Sequence, residues 1–260
     1  SGEIISCDSM QIYKEFNIGT AKITEEEVRG INHYMIDILD GNQKFNVSEY
    51  KKMAENYIEE IYSHNSLLIF VGGTGLYVNS ILYDFKFTES EESNNLREQI
   101  TEFYEKNGAN LLYDLLLYLD YSSREKIHKN NIKRVIRAIE VCYLTNGKFS
   151  ELRMKNIKNN NYKFLKIFLN RNRDELYERI NLRVEIMIKN GLVEEAKKVY
   201  NRYTEKLYKI SSIGYKELFM YFDGKISLDE AVAEIKKESR RYAKRQMTWF
   251  KKEKDYIIYN

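Results

Sequence analysis

At 260 residues, with 43% hydrophobic and 31% charged side chains, the chain is long enough to bury a sizeable core and too apolar to read as disordered. A formal charge of +3 means that any polyanion site must lie in local clusters of Lys and Arg and not in the total. No run approaches the ~18 apolar residues of a membrane span, and the polar start at Ser1-Gly2-Glu3 does not read as a leader. The two cysteines, Cys7 and Cys142, lie far apart without metal or redox spacing, so the expectation is reduced thiols, no disulfide and a cytoplasmic protein.

Gly2 to Tyr13 reads as a buried strand running into a polar loop. Ile4 and Ile5 are followed by Cys7, Asp8 and Ser9, as when an open parallel sheet presents polar groups at the carboxyl end of a strand. His33 to Ile38 fits a second strand. Tyr50, Met53, Ala54, Tyr57, Ile58 and Ile61 then recur at helical spacing behind Ser48 as the cap. Leu67 to Val71 reads as a continuous buried strand that ends at Gly72-Gly73-Thr74-Gly75, and a helix follows over Leu76 to Leu82. This β-α-β-α order predicts an α/β fold, a parallel sheet flanked by helices. No G-x-x-x-x-G-K-[ST] phosphate loop occurs in these residues.

From 84 to 158 the strand signal disappears. Leu96, Ile100, Phe103 and Tyr104 form one amphipathic stripe stopped by Asn107-Gly108. Leu111, Leu112, Leu115, Leu116 and Leu119 form a second, and Asn131 to Leu144 a third, ended by Asn146-Gly147. An all-helical subdomain is therefore expected inside an α/β core made of 1–83 and 159–260, with Lys155 to Lys163 as the linker. Strand character returns at Lys163 to Leu169. Helices follow over Asp174 to Lys189, Val193 to Tyr203, Gly214 to Tyr221 and Leu228 to Phe250, with a last strand at Tyr256 to Tyr259.

Several residues could carry chemistry, each with a plainer alternative. Asp8, with Ser9 and Gln11 beside it, could be a general base or a magnesium-orienting acid at a strand end, or simply a turn cap. The Gly72–Gly75 segment could let backbone approach a ligand, with the Thr74 hydroxyl beside it, or could be a tight turn with no ligand. Lys22 could meet phosphate or face solvent. Lys236 to Lys254 holds nine Lys or Arg against two acids, with Tyr242, Trp249 and Phe250 interleaved. Its Arg241, Lys244 and Arg245 suit a nucleic-acid backbone, or make an ordinary solvated face. Arg179 and Arg183, four residues apart, could bind pyrophosphate or pair with Glu175 and Glu178. His33, His64 and His128 form no ligand cluster, so no protein metal site is expected.

Taken together these segments resemble the tRNA dimethylallyltransferases, or tRNA isopentenyltransferases. The resemblance rests on Gly2 to Tyr13, Asn17-Ile18-Gly19-Thr20-Ala21-Lys22, His33 with Ile36-Asp37, and Val71 to Tyr77. It continues through Ile127 to Asn131 with Arg134 to Glu140, Arg179 to Arg183, Ile213-Gly214-Tyr215-Lys216-Glu217, and Arg241 to Phe250. It implies a P-loop-NTPase-like sheet and transfer of a dimethylallyl group from dimethylallyl pyrophosphate to the exocyclic amine of the adenosine 3′ of the anticodon. The position matching Asp8 accepts the amine proton. Asp8, Ser9, Met10 and Gln11 touch the substrate nucleoside, Thr74 and Arg97 interact with tRNA, and Arg183 with Arg179 holds pyrophosphate.

The resemblance further implies that magnesium comes with the pyrophosphate, that the helical insertion grips the anticodon stem, and that the enzyme is a monomer. A strand and Walker-like loop ahead of the first strand belong to the same pattern. Departures are Ile23, Asn32 and Lys129, where proline is frequent in the family; proline is absent from the whole chain. The competing functions are an ATP-using small-molecule kinase, a prenyltransferase acting on free adenylate, and a catalytically impaired tRNA-binding remnant.

Overall fold

In the computed structural model, which describes residues 2–83, 85, 91–151, 158–203, 210, 212–252 and 255–260, with only the backbone at 91–94, the first apolar run forms β1 (Gly2–Ser6). A four-residue helix, α1 (Glu25–Val28), opens with a Thr24–Glu27 capping box and leads to β2 (His33–Tyr34). Next come α2 (Val47–Ser63), β3 (Leu67–Val71) and α3 (Gly75–Leu82). The three strands are parallel in the order β2-β1-β3, with Ile4 opposite both His33 and Ile69.

The core beneath this sheet follows from the spacing of apolar side chains. Ile5 and Cys7 point inward from the β1 side. Tyr50, Ala54, Ile58 and Ile61, on one stripe of α2, meet them together with Tyr77 and Ile81 of α3. Each fully buried isoleucine contributes roughly 1.5–3 kcal/mol of transfer free energy. Tyr50 and Tyr77 stack with centroids 4.0 Å apart, and the Tyr50 hydroxyl donates to the Ser6 carbonyl at 3.1 Å.

Clustering of contacts divides the chain into two compact units, 1–82 with 160–260, and 83–159. The rest of the first unit holds β4 (Ile167–Leu169), four helices and β5 (Ile257–Tyr259). The helices are α6 (Arg173–Lys189), α7 (Leu192–Arg202), α8 (Tyr215–Phe222) and α9 (Leu228–Phe250). They enclose a second core around Phe16, Leu192, Tyr215, Leu218 and Ile235. β4 and β5 pair in parallel as a separate ladder among the described residues.

The second unit contains α4 (Glu91–Leu119) and α5 (Ile132–Thr145), joined through a 3-10 turn at Tyr121–Glu125. Leu112, Leu116, Val135 and Ile139 form its core. Asp120 fixes the connection by accepting from Ser123 Oγ (2.6 Å) and from the Ser150 amide (2.7 Å). Glu140, fully buried, is held by Arg97 through both carboxylate oxygens and by Arg137.

Four local expectations are corrected. The His33–Ile38 strand stops at Tyr34, because Met35 and Asp37 take left-handed backbone (φ 64 and 56) that breaks the pleat; Asp37 and Ile38 donate instead to the Gln11 and Ile12 carbonyls. The cap of α2 is Asn46 with Glu49, not Ser48, since Asn46 Oδ1 accepts from both the Ser48 and Glu49 amides. The Lys163–Leu169 strand is confined to its last three residues, while Tyr162 and Phe164 turn into the sheet core. Leu67–Val71 is a strand but not a buried one, since Leu67, Ile69 and Val71 lie exposed on one face. Gly108 (φ 80, ψ 176) is non-helical and divides α4 into two helices, as the Asn107-Gly108 stop predicts. In the linker, 155–157 lie outside the described residues, as does Lys254 at the end of the basic segment.

Candidate active site

In a parallel sheet of order β2-β1-β3 the connections leaving β1 and β2 run to opposite sides. The crevice for a ligand therefore opens between the carboxyl ends of β1 and β3. The loops after those strands, Cys7–Gln11 and Gly72–Gly75, are stitched together there. The Cys7 amide donates to the Val71 carbonyl at 2.7 Å and the Thr74 amide to the Cys7 carbonyl at 2.9 Å. A Cβ on Gly72 would stand 2.4 Å from the Cys7 carbonyl carbon, so this approach of two backbones requires glycine.

Of the roles that its sequence context left open, Asp8 takes the capping one with a single oxygen. Its Oδ1 accepts from the Met10 amide (2.8 Å) and the Gln11 amide (3.4 Å), which is the capping role. Its Oδ2 takes no hydrogen bond among the described residues and remains free to accept a proton. Ser9 is tied across the crevice, its amide donating to Thr74 Oγ1 at 3.0 Å, while Thr74 Oγ1 donates to Ser9 Oγ at 3.2 Å. Gln11 turns back into the protein, receiving Ser6 Oγ and donating to the Thr20 carbonyl, and Met10 packs against the helical core.

Burial first, then neighbouring charges that include Asp8, pushes the Tyr77 hydroxyl well above its ordinary range. Tyr242 of α9 is raised by burial and next by Asp8. Burial pushes the Cys7 thiol up to about 12, partly offset by the Tyr50 hydroxyl 3.0 Å away, so Cys7 is no nucleophile.

The basic candidates separate into engaged and available groups. Arg179 and Arg183 lie exposed on α6 with no ion pair among the described residues, and Glu175 pairs with Arg171 instead, so the intrahelical alternative does not hold. Lys244 is exposed, Arg241 pairs with Glu238 at 2.6 Å, and the Arg245 guanidinium sits 5.6 Å over the Tyr242 ring. Arg97 belongs to the 83–159 unit and is committed to Glu140. Lys22 neither meets phosphate nor faces solvent: it is buried and bound by Tyr13, Asn17 and Asp37.

No three His, Cys, Asp or Glu side chains gather as a metal site among the described residues. Two residues that the sequence did not single out by role hold the loops, Gln246 from within the Arg241–Phe250 motif and Glu195. Gln246 touches the Gly72–Gly75 loop, and Glu195 holds the Asn17–Gly19 backbone. Only a long-range pairing could have revealed either.

A model of the IPP transferase family matches residues 11–253. A tRNA dimethylallyltransferase of Fusobacterium nucleatum is 49% identical over 100% of this chain and 84% of its own length. Among solved structures, a tRNA Δ2-isopentenylpyrophosphate transferase from Staphylococcus epidermidis is 42% identical with a TM-score of 0.69, covering 100% of this chain and 84% of that one. A eukaryotic dimethylallyltransferase captured acting on tRNA is 27% identical with a TM-score of 0.77, over 95% of this chain and 63% of that one.

Proposed function

Because the chain belongs to the IPP transferase family, we propose that it transfers a dimethylallyl group from dimethylallyl pyrophosphate to the exocyclic amine of the adenosine 3′ of the anticodon in tRNA. The observation that carries this reading is Asp8 at the β1/β3 crevice, one carboxylate oxygen spent on the loop and the other free. The kinase, free-adenylate and remnant alternatives are not favoured, since relatives similar over nearly the whole chain are tRNA dimethylallyltransferases.

The adenosine amine attacks the allylic carbon, the carbon–oxygen bond to pyrophosphate breaks, and the pyrophosphate leaves with the electron pair. The amine proton passes to Asp8 Oδ2. The amine is a weak nucleophile, so the rate depends on placing it beside the base and on neutralising the leaving group. Arg179 and Arg183, exposed on α6 and without an ion pair among the described residues, suit the second task. Magnesium enters with the pyrophosphate. The ion would keep most of its ligands as water and phosphate, the Ser9 hydroxyl being a hard-oxygen donor suited to it while Asp8 Oδ2 is kept for the proton, and it would supply charge neutralisation of the leaving group.

The target base must leave the anticodon stack, at a cost of a few kcal/mol. Arg241, Lys244 and Arg245 offer phosphate contacts that offset it, and the nucleoside lies against Asp8 to Gln11. The helical unit 83–159 grips the anticodon stem. The same reading makes the enzyme a cytoplasmic monomer, since its RNA substrate is there. Among the described residues no helix is long and apolar enough to cross a membrane.

The test is magnesium-dependent transfer of labelled dimethylallyl from its pyrophosphate to an anticodon stem-loop bearing the target adenosine. Transfer to the stem-loop and not to AMP is expected. Labelling of AMP alone, phosphoryl transfer from ATP to a small molecule, or stem-loop binding without transfer would each overturn the reading.

A further inference from the structure

α5 carries a single acidic side chain, Glu140, and that side chain is fully buried. Taking a carboxylate out of water is expensive unless positive groups stand close to it. Arg97 of α4 meets it edge-on: Nε donates to Oε2 at 3.0 Å, and Nη2 reaches Oε1 at 2.9 Å and Oε2 at 2.8 Å. Arg137, three residues before Glu140 on α5, places Nη1 2.9 Å from Oε1. One carboxylate thus holds two guanidiniums from two helices, all within the 83–159 unit.

The arrangement leaves donors over. A guanidinium has five N–H groups, and Arg97 spends only its Nε and Nη2 edge, so the two on Nη1 make no hydrogen bond among the described residues. Nε and Nη2 of Arg137 are likewise unspent there. The Arg97 and Arg137 side chains are 48% and 39% exposed while that of Glu140 is not exposed at all, so a buried ion pair carries N–H groups that reach water, with one positive charge in excess. Lys133, four residues before Arg137 and on the same face of α5, is exposed without an ion pair among the described residues and extends the positive region. Stability alone does not account for the network. Arg97 already satisfies both oxygens, and an apolar side chain in place of a buried ion pair is often as stable or more so. What the carboxylate adds is a fixed direction for two long side chains that would otherwise be ordered only on binding.

We propose that Glu140 is a positioning residue for the RNA substrate: from inside the helical unit it presets Arg97 and Arg137 as a fork whose outer N–H groups take a backbone phosphate of the anticodon stem. Planar guanidinium edges match phosphate oxygens, and such contacts fix register without reading sequence. The bond from Arg97 to Glu140 prepares the arginine for RNA and does not withdraw it. This rests on the function proposed above and adds to it Arg137 as a phosphate contact and a buried acid that acts through its partners.

Glu140→Gln keeps the shape and removes the charge, and Arg97→Lys keeps the charge but cannot span both carboxylate oxygens. In the stem-loop transfer assay, run well below each melting temperature, Glu140→Gln should raise KM for the stem-loop about fivefold, the scale of ordering two arginines only on binding. Arg97→Lys should raise it about threefold. kcat at saturating stem-loop and KM for dimethylallyl pyrophosphate should stay within about twofold, because the fork meets RNA away from the reacting atoms. Arg97→Gln and Arg137→Gln should each lower the slope of log affinity against log salt by about 1. The sign for Glu140→Gln is decisive: a carboxylate that only neutralised its partners would, on removal, free two cations and tighten binding. Tighter or unchanged binding in that variant would overturn the proposal, as would an unaltered KM in Arg97→Lys or a loss confined to kcat. Should Glu140→Gln fail to fold, Arg97→Lys carries the test. If the unaltered chain binds the stem-loop without transferring, the functional reading fails, and dissociation constants from fluorescence anisotropy judge the fork by the same signs. No binding by the unaltered chain would refute both.

Discussion

Two short polar segments lie beside each other in the sequence, and both read as ligand loops: Asp8 to Gln11, and Asn17 to Lys22. In the first, one carboxylate oxygen of Asp8 is committed and the other is free. In the second, everything is spent. Glu195 accepts the amides of Asn17, Ile18 and Gly19 at 3.0–3.2 Å together with the Tyr215 hydroxyl at 2.6 Å. Three consecutive amides of this kind make an anion nest, and here the anion is the protein's own. Gly19 faces the Tyr215 ring, where a Cβ would stand 2.5 Å away, and Lys22 is saturated by Tyr13, Asn17 and Asp37. Unspent hydrogen-bonding capacity, and not composition, separates a site from its scaffold.

The contrast is broken most directly at its two acidic and basic ends. Asp8→Asn keeps an Oδ1 to cap the turn and removes the proton acceptor. Turnover should fall about 10²- to 10⁴-fold, the range for loss of a general base, with stem-loop affinity and melting temperature close to the unaltered chain. Near-normal turnover in a transfer assay would remove Asp8 as the base. Lys22→Met should behave in the opposite way. It removes the ammonium shared by the half-buried Tyr13 carbonyl, the Asn17 side chain and Asp37 and should cost about 1–2 kcal/mol in urea unfolding, while kcat per folded molecule stays within about threefold. A large kcat loss without destabilisation would make Lys22 part of the site after all.

A smaller effect sharpens the contrast at the opposite end of β1. Glu3 accepts from Asn32, Tyr34 and His64, which holds its carboxyl at about 2 against an ordinary 4.5. A folded-state value below the unfolded one gives stability that is present above pH 4.5 and fades as pH falls from there toward 2. Glu3→Gln should flatten that part of the acid unfolding curve, measured by circular dichroism, and leave turnover at neutral pH intact.

The parallel sheet and the helices were legible because their apolar runs and periods are strong: Leu67 to Val71, the α2 stripe and α9 fall where the spacing puts them. The His33 to Ile38 strand was misread because alternation cannot show that Met35 and Asp37 adopt left-handed backbone to serve the loop after β1. Asp8 could be named, yet the division of labour between its two oxygens could not. That division depends on turn geometry at Met10 and Gln11. The Glu195 and Gln246 contacts were invisible because each joins residues more than 160 positions apart, and no local pattern carries such a pairing.

The buried thiols described above have a further use. Cys7 sits under the crevice, fully enclosed, and Cys142 is enclosed in the 83–159 unit. A thiol-labelling reagent can reach either only after the surrounding structure opens, and only through the thiolate. The native chain thus carries two built-in clocks, one per unit, whose labelling rates separately report how often the carboxyl end of β1 and the helical insertion breathe.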